Sequence, residues 1–464
     1  MKNCKIKNLI SNRCTGNIII IAASSILIYI LISTYFVNHF FFNTTINGVN
    51  VSLRGHRKVE CILRDSIKNY KLMLIERNEE IEEIIGRDIG ITYNEEVNIF
   101  ESLNRKNAFK WIGSLLKSQQ YTIDNLVLYD ESKLISIVNG LNCLKQPFTE
   151  PQNVSFKYSN GSYEVVKEVY GNKIDRDRLN LEIKECILKG EAKLDLNQSF
   201  CYVNPGYTLN SEKTAKTRDL LNKYVKTNIT YIFDNAKETL DGKIINQWIN
   251  VNENLDVIIS EIEAMKYLKS LSRKYDTVGI ARNFKTSIGK TVIVEGGLYG
   301  WKINQGDEIK ALFENIKHGQ IIQKEPIYSQ RSLPRGKDEI GNTYVEINIT
   351  RQHLWFYKNG RLITQGAVVT GNPNKGHATV IGTYMLNYKQ KGATLTGPGY
   401  EAGVTYWMPF FGNIGIHDAT WRYSFGGEIY KTRGSHGCVN APPYLAKAIY
   451  ENIEGGTPII CYEE

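Results

Sequence analysis

Residues 14–53 contain no lysine, arginine, aspartate or glutamate, and inside them Ile18 to Val37 is almost wholly apolar, softened only by Ser24, Ser25, Ser33, Thr34 and two tyrosines. A run of that length matches the roughly 20 residues that a helix needs to cross a bilayer. Lys2, Lys5, Lys7 and Arg13 precede it without any acid, and Phe40-Phe41-Phe42 follow as an aromatic border. A cleaved secretory leader has a shorter apolar run and a clean small-residue cleavage site, so the pattern reads as an uncleaved signal anchor. The basic flank places the N-terminus in the cytoplasm and everything after about residue 43 outside. A cytoplasmic tail (1–17) and a transmembrane anchor (18–42) are therefore expected ahead of an exterior that folds in water.

Near the other end, His417 is followed, after seventeen residues of which Asp418 is the first, by Ser435-His436-Gly437-Cys438-Val439-Asn440. A cysteine beside two histidines and a glycine is what thiol acyl transfer needs: sulfur attacks, an imidazole takes its proton, and backbone amides hold the oxyanion. Gly437 has no Cβ, so the chain can bend sharply just before the sulfur. A structural zinc site fits poorly, because such sites take four ligands and no Cys-x-x-Cys pair occurs in the chain. A free cysteine is often an inert packed thiol, but the residues after Cys438 oppose that reading. Ala441-Pro442-Pro443 leads into Leu445, Ile449 and Ile453 at helical spacing, with Gly455-Gly456 as the stop. Cys438 is thus expected just ahead of a helix N-terminus, whose dipole favours a thiolate.

The pattern His-x17-Ser-His-Gly-Cys-x-Asn resembles that of the L,D-transpeptidases, the YkuD-fold enzymes of bacterial wall cross-linking. Thr379-Val380-Ile381-Gly382-Thr383-Tyr384 resembles the family's Thr-Pro-x-Gly-x-Phe/Tyr strand, with Val380 where proline is usual. Triad logic makes Cys438 the nucleophile, His417 its base and Asp418 the group that orients the imidazolium, although a backbone carbonyl fills that place in some relatives. His436 lines the site or holds its loop, and the amides of Gly437 and Cys438 are candidate oxyanion donors. By resemblance, Ser435, Asn440, Trp421 and Tyr400 belong to the substrate surface. The resemblance further implies peptidoglycan stem peptides as donor and acceptor, a 3→3 cross-link made through a cysteine acyl-enzyme, acylation by carbapenems, and no metal or organic cofactor. An L,D-carboxypeptidase or endopeptidase would use the same thiol with water as acceptor, and a non-enzymatic wall-binding protein would show a degenerate site. A papain-like peptidase lacks support, since that family's cysteine context is absent.

Between anchor and site, Ile46 to Leu53 and Asp88 to Tyr93 resemble the peptidoglycan-binding modules that precede transpeptidase domains in Gram-positive wall enzymes. Residues 46–94 read as strands around an amphipathic helix near Val59 to Tyr70, and 95–146 as mostly helical. Ile229-Thr230-Tyr231 echoes Ile91-Thr92-Tyr93, suggesting a tandem repeat. Gly296-Gly297 and Gly300 read as turns, since no Lys-Ser/Thr follows them as a phosphate loop requires. Pro326, Pro334, Gly336 and Gly341 read as a linker or hairpin. Beyond them, alternating runs around Lys358-Asn359-Gly360 predict hairpins. The expected fold is α+β to mainly β: one transmembrane helix, α+β modules at 43–150 and 151–335, and a β-sandwich-like YkuD domain at 340–464.

The net charge of +9 suits an acidic partner such as a wall rich in carboxylates and phosphates. Clustered base-reading motifs are absent, which argues against nucleic acid. With Cys438 required free, no disulfide framework is indicated in a chain this large.

Overall fold

The computed structural model describes residues 2–99, 107–332, 339–397 and 400–464, and for 2–16 and 400 the backbone path alone. Pro334 and Gly336 of the expected linker lie outside the described residues. The chain divides into two compact units, residues 1–155 with 166–211, and residues 156–165 with 212–464.

The first unit opens with a helix, Lys2–Tyr35, whose stretch Asn17–Tyr35 is long and apolar enough to cross a membrane, at a mean hydropathy of 2.3. The helix stops before the aromatic border. Phe36, Phe40 and Phe41 are buried against protein. Beyond it, the helix His56–Lys68 turns Val59, Leu63 and Ile67 inward at four-residue spacing. Lys71–Ile75 follows, pairs antiparallel with Ile81–Ile85, and takes Lys193–Asp195 as a parallel neighbour on its other edge. The returning strand is delivered by the helix Arg176–Lys189, which Asp175 caps at its start and Gly190, at φ +71°, ends. The described part of 95–146 is not mostly helical: Gln119–Tyr121 and Val127–Leu128 are strands, the former paired with Thr44–Ile46. Pairing between segments so far apart in sequence leaves no local periodicity to read.

The second unit repeats this plan. The helix Glu212–Val225 leads into Asn228–Phe233, which pairs antiparallel with Ala236–Leu240 and parallel with Ile321–Lys324, delivered by the helix Gln305–His318. In this plan Asn228–Phe233 corresponds to Lys71–Ile75, and Ile249–Val251 to Thr92–Tyr93. The sequence echo between Ile229-Thr230-Tyr231 and Ile91-Thr92-Tyr93 therefore joins strands of different rank. Short β-rich segments look alike because all bury the same alternating side chains.

From residue 342 onward, the described residues of the second unit carry nine strands: β1 (Tyr344–Asn348), β2 (His353–Lys358), β3 (Arg361–Ala367), β4 (Gly382–Met385), β5 (Gln390–Gly397), β6 (Tyr400–Phe411), β7 (Ile414–Asp418), β8 (Val439–Ala441) and β9 (Pro458–Tyr462). They form a five-stranded sheet ordered β3-β2-β1-β9-β4 and a four-stranded sheet ordered β5-β6-β7-β8. Asn359 and Gly360, at φ +53° and +77°, make the tight β2–β3 turn that Asn-Gly predicts. The sheets and the helix Pro443–Asn452 share one core, built from Val345, Ile347, Phe356, Met408, Ile416, Leu445 and Ile449 among others. On β9, Ile459 and Cys461 face that core, while Ile460 and Tyr462 face the opposite way.

That opposite face is covered by a hairpin, Arg282–Lys285 with Thr291–Val294. Glu346 of β1, fully buried, accepts the Ser287 amide at 3.0 and 3.1 Å, the Ser287 hydroxyl, and the Tyr462 hydroxyl at 2.8 Å. Just downstream, Gly297 (φ +89°) lies against the backbone of Thr383, where an added Cβ would meet the carbonyl oxygen at 2.0 Å. Gly296-Gly297 is thus a turn of a particular kind, permitting backbone-to-backbone contact with β4, while Gly300 lies against the backbone of Thr277 and Val278.

Candidate active site

The loop before β8 is held from both sides. Ser435 and Asn440 bond the backbone of Val369 to Asn372, while β8 runs parallel to β7 with His417 opposite Asn440. Beneath it, the buried Thr379 hydroxyl donates to the Gly437 carbonyl at 2.7 Å and accepts the Gly371 amide at 2.9 Å. Gly437 has φ +119°, a conformation that side chains resist, and a Cβ added there would meet the Ile414 side chain at 3.1 Å. Cys438 is thereby set at the wall of a cleft of about 260 Å³ that His417, Trp421, Arg422, Ser435, His436 and Asn440 also line.

His417 is 3% exposed and lies between Trp407 and Trp421, ring centroids 6.0 and 5.9 Å away. Burial lowers its pKa, against the smaller opposing pull of Asp418. Nδ1 lies 2.8 Å from the main-chain carbonyl of Asp418, which can only accept, so that nitrogen carries the proton and Nε2 keeps its lone pair. In the amide orientation that gives every atom a partner, Asn440 donates to Nε2 at 3.0 Å and accepts Arg422 Nε at 2.8 Å. Arg422 also donates to the Arg433 carbonyl at 2.8 Å.

Burial pushes the Cys438 thiol up to about 11, partly offset by a hydrogen bond from the Gly415 backbone. Sγ donates to the Asn413 carbonyl at 3.4 Å. The expected helix-dipole effect does not operate: β8 intervenes, the helix begins only at Pro443, and such a dipole acts within about a turn. Burial thus disfavours both the thiolate and the imidazolium.

The Asp418 carboxylate does not reach the imidazole. Neighbours on a strand point to opposite faces, and Asp418 Oδ1 instead accepts the amides of Thr405 and Tyr406 at 2.8 and 2.7 Å. Its carbonyl does the orienting. The Gly437 amide is likewise committed, donating to Ser435 Oγ at 3.1 Å, while that hydroxyl donates to the Cys438 carbonyl. Ser435 thus braces the loop, and Gly437 is left with a conformational part in place of an oxyanion bond. His436 lies exposed at the cleft with its ring 4.6 Å from that of His377. Trp421 is half exposed beside His417. Tyr400 begins β6, but its side chain lies outside the described residues. Sequence reasoning missed Arg422, Asn413 and His377; only the arginine's position next to Trp421 could have drawn attention.

Family models match three stretches of the chain: the YkuD L,D-transpeptidase catalytic domain at residues 342–461, and a peptidoglycan binding domain at 84–195 and 207–322. A mutant of Enterococcus faecium L,D-transpeptidase is 30% identical over 54% of this chain and 100% of that one, with a TM-score of 0.42. The Ldtfm–avibactam carbamoyl enzyme is 31% identical over 54% of this chain and 99% of that one, TM-score 0.43. The catalytic domain of the E. faecium enzyme acylated by ertapenem is 38% identical over 26% and 97%, TM-score 0.25. No curated protein matches. With its catalytic-domain match, its two upstream matches and 30% identity over the whole of a solved E. faecium L,D-transpeptidase chain, the chain belongs to the L,D-transpeptidase family.

Proposed function

We propose that this chain is a membrane-anchored transpeptidase that makes 3→3 cross-links in peptidoglycan through an acyl-enzyme on Cys438. The observation that carries the reading is the arrangement of His417, with Nδ1 fixed on a carbonyl and Nε2 holding a lone pair in the same cleft as the sulfur. Sγ attacks the carbonyl of the third residue of a tetrapeptide stem as its proton passes to Nε2. The imidazolium returns that proton to the departing amine of the terminal D-alanine, leaving a thioester. The side-chain amine of a second stem then attacks the thioester, gives up its proton through the same imidazole, and regenerates the thiol. Because burial disfavours a charge on either group, proton transfer accompanies attack in this scheme. The Cys438 amide is the oxyanion donor in this scheme, and Trp421, His436 and Asn440 face the stem.

The ertapenem and avibactam adducts of the relatives support acylation of Cys438 by β-lactam-type inhibitors. The apolar helix Asn17–Tyr35 supports a single-pass anchor, with the cytoplasmic N-terminus that the basic flank suggests. The upstream matches support contact with the wall polymer.

The deciding experiment incubates the full chain in lipid nanodiscs with a disaccharide tetrapeptide, beside Cys438→Ala, and follows muropeptides and intact protein mass. A cross-linked product and a transient acyl adduct from the native chain alone are expected. Tripeptide without cross-link would make it a carboxypeptidase, and neither product nor adduct would leave a wall-binding protein.

A further inference from the structure

A segment of the first unit lies against the apolar helix where lipid would be. Residues 107–117, Asn-Ala-Phe-Lys-Trp-Ile-Gly-Ser-Leu-Leu-Lys, expose Phe109 (54%), Ile112 (50%), Leu115 (48%) and Leu116 (93%). Monomeric soluble proteins rarely show apolar side chains gathered so densely in one short segment. Its inner side packs on the helix: Ala108 and Trp111 join Ile32, Phe36 and Phe41, and the Trp111 ring lies 6.0 Å from both Tyr29 and Phe36. The Tyr29 hydroxyl donates to the Phe109 carbonyl at 2.5 Å.

The depth of that contact decides what the exposed side meets. At 1.5 Å per residue, Asn17–Tyr35 is about 28 Å long, the thickness of a hydrocarbon core with little to spare. Arg13 and the lysines before it prevent the helix from sliding far outward. Tyr29 lies six residues inside Tyr35, about 9 Å below the outer end of the helix by the same rise. The segment cannot drift from that level, because Gln119–Tyr121 pairs with Thr44–Ile46 and Asn43 Nδ2 donates to the Ser114 carbonyl at 3.1 Å.

We propose that residues 107–117 form a lipid-facing wedge, seated in the outer leaflet beside the anchor, with Phe109, Ile112, Leu115 and Leu116 among acyl chains. The inference rests on the anchor reading. Lys110 and Lys117, both exposed, are the segment's only charges and suit anionic headgroups. The wedge gives the first unit a second membrane contact, fixing its tilt as one helix alone cannot.

The test is thiol accessibility in the full chain, in nanodiscs of phosphatidylglycerol and phosphatidylethanolamine. Leu116→Cys, Ile20→Cys and Ile293→Cys are treated separately with a water-soluble maleimide and read by peptide mapping, which separates them from the native cysteines. Position 116 is open to solvent in the protein itself, so protection there reports lipid. Labelling of Leu116→Cys and Ile20→Cys at least about tenfold slower than Ile293→Cys is expected. Rapid labelling at 116 with a protected position 20 would overturn the wedge and spare the anchor. Rapid labelling at both would overturn anchor and wedge together.

Discussion

The two sheets of the catalytic region each bury an ionisable side chain at their heart, Glu346 on β1 and His417 on β7, and they use these two in opposite ways. On β1, Glu346 has its oxygens taken by the Ser287 amide and hydroxyl and the Tyr462 hydroxyl, which leaves it nothing to offer a substrate. On β7, His417 is held by a carbonyl on one nitrogen and by a single side-chain amide on the other, at the edge of a cleft. A fully satisfied buried group is a fastener; a buried group with one exchangeable partner can take part in chemistry.

The contrast breaks most visibly at the sulfur. Cys438→Ala should lower cross-linking by about 10⁴-fold or more, since the nucleophile is gone, without changing the melting temperature. His417→Gln should cost about 10²- to 10⁴-fold in turnover, the usual range for a lost general base. Glu346→Gln should do the reverse: it places an amide among donors, and should cost about 2 kcal/mol in urea denaturation while turnover per folded molecule is kept. Arg422→Gln sharpens the contrast, because it frees Asn440 to rotate away from Nε2; a loss of about tenfold in turnover is expected, with Asn440→Ala adding little when combined.

The smallest effect is a pH shift. Burial lowers the imidazole, so Nε2 stays unprotonated below the ordinary histidine range, and the acid limb of turnover should fall below pH 6.5. The native fold, which favours the neutral ring, should lose that contribution to stability as pH falls from 6.5 toward the lowered value. Alkylation of Cys438 by iodoacetamide should be slow at neutral pH and rise toward about 11. A plateau near pH 7 would mean an ion pair instead.

Much of this site was legible because chemistry restricts residue type: a thiol, an imidazole and a glycine at φ +119° leave few substitutes. Partners supplied by the main chain were not legible. Asp418 stands next to His417, but the alternation of a strand turns its carboxylate away and leaves the carbonyl to do the orienting. The helix dipole expected at Cys438 is kept away by three residues, Val439 to Ala441, which join a sheet before the helix starts. The β2–β3 hairpin was readable from Asn359-Gly360 alone, whereas the pairing of Thr44–Ile46 with Gln119–Tyr121 depends on residues too distant to leave a pattern.

The hairpin at Arg282–Val294 has a consequence for anyone recombining such enzymes. The matched stretches end at 322 and resume at 342, inviting a splice between them. A chimera cut there would inherit β9 and Glu346 from one parent and the Ser287 lid from the other, exposing Ile460 and Tyr462 wherever the two disagree. The transplantable piece begins farther upstream, before Glu212, because the hairpin lies in sequence between Asn228–Phe233 and its parallel partner Ile321–Lys324, and the Thr277 hydroxyl, bonded to Glu339, ties the hairpin's root to the entry of the catalytic strands.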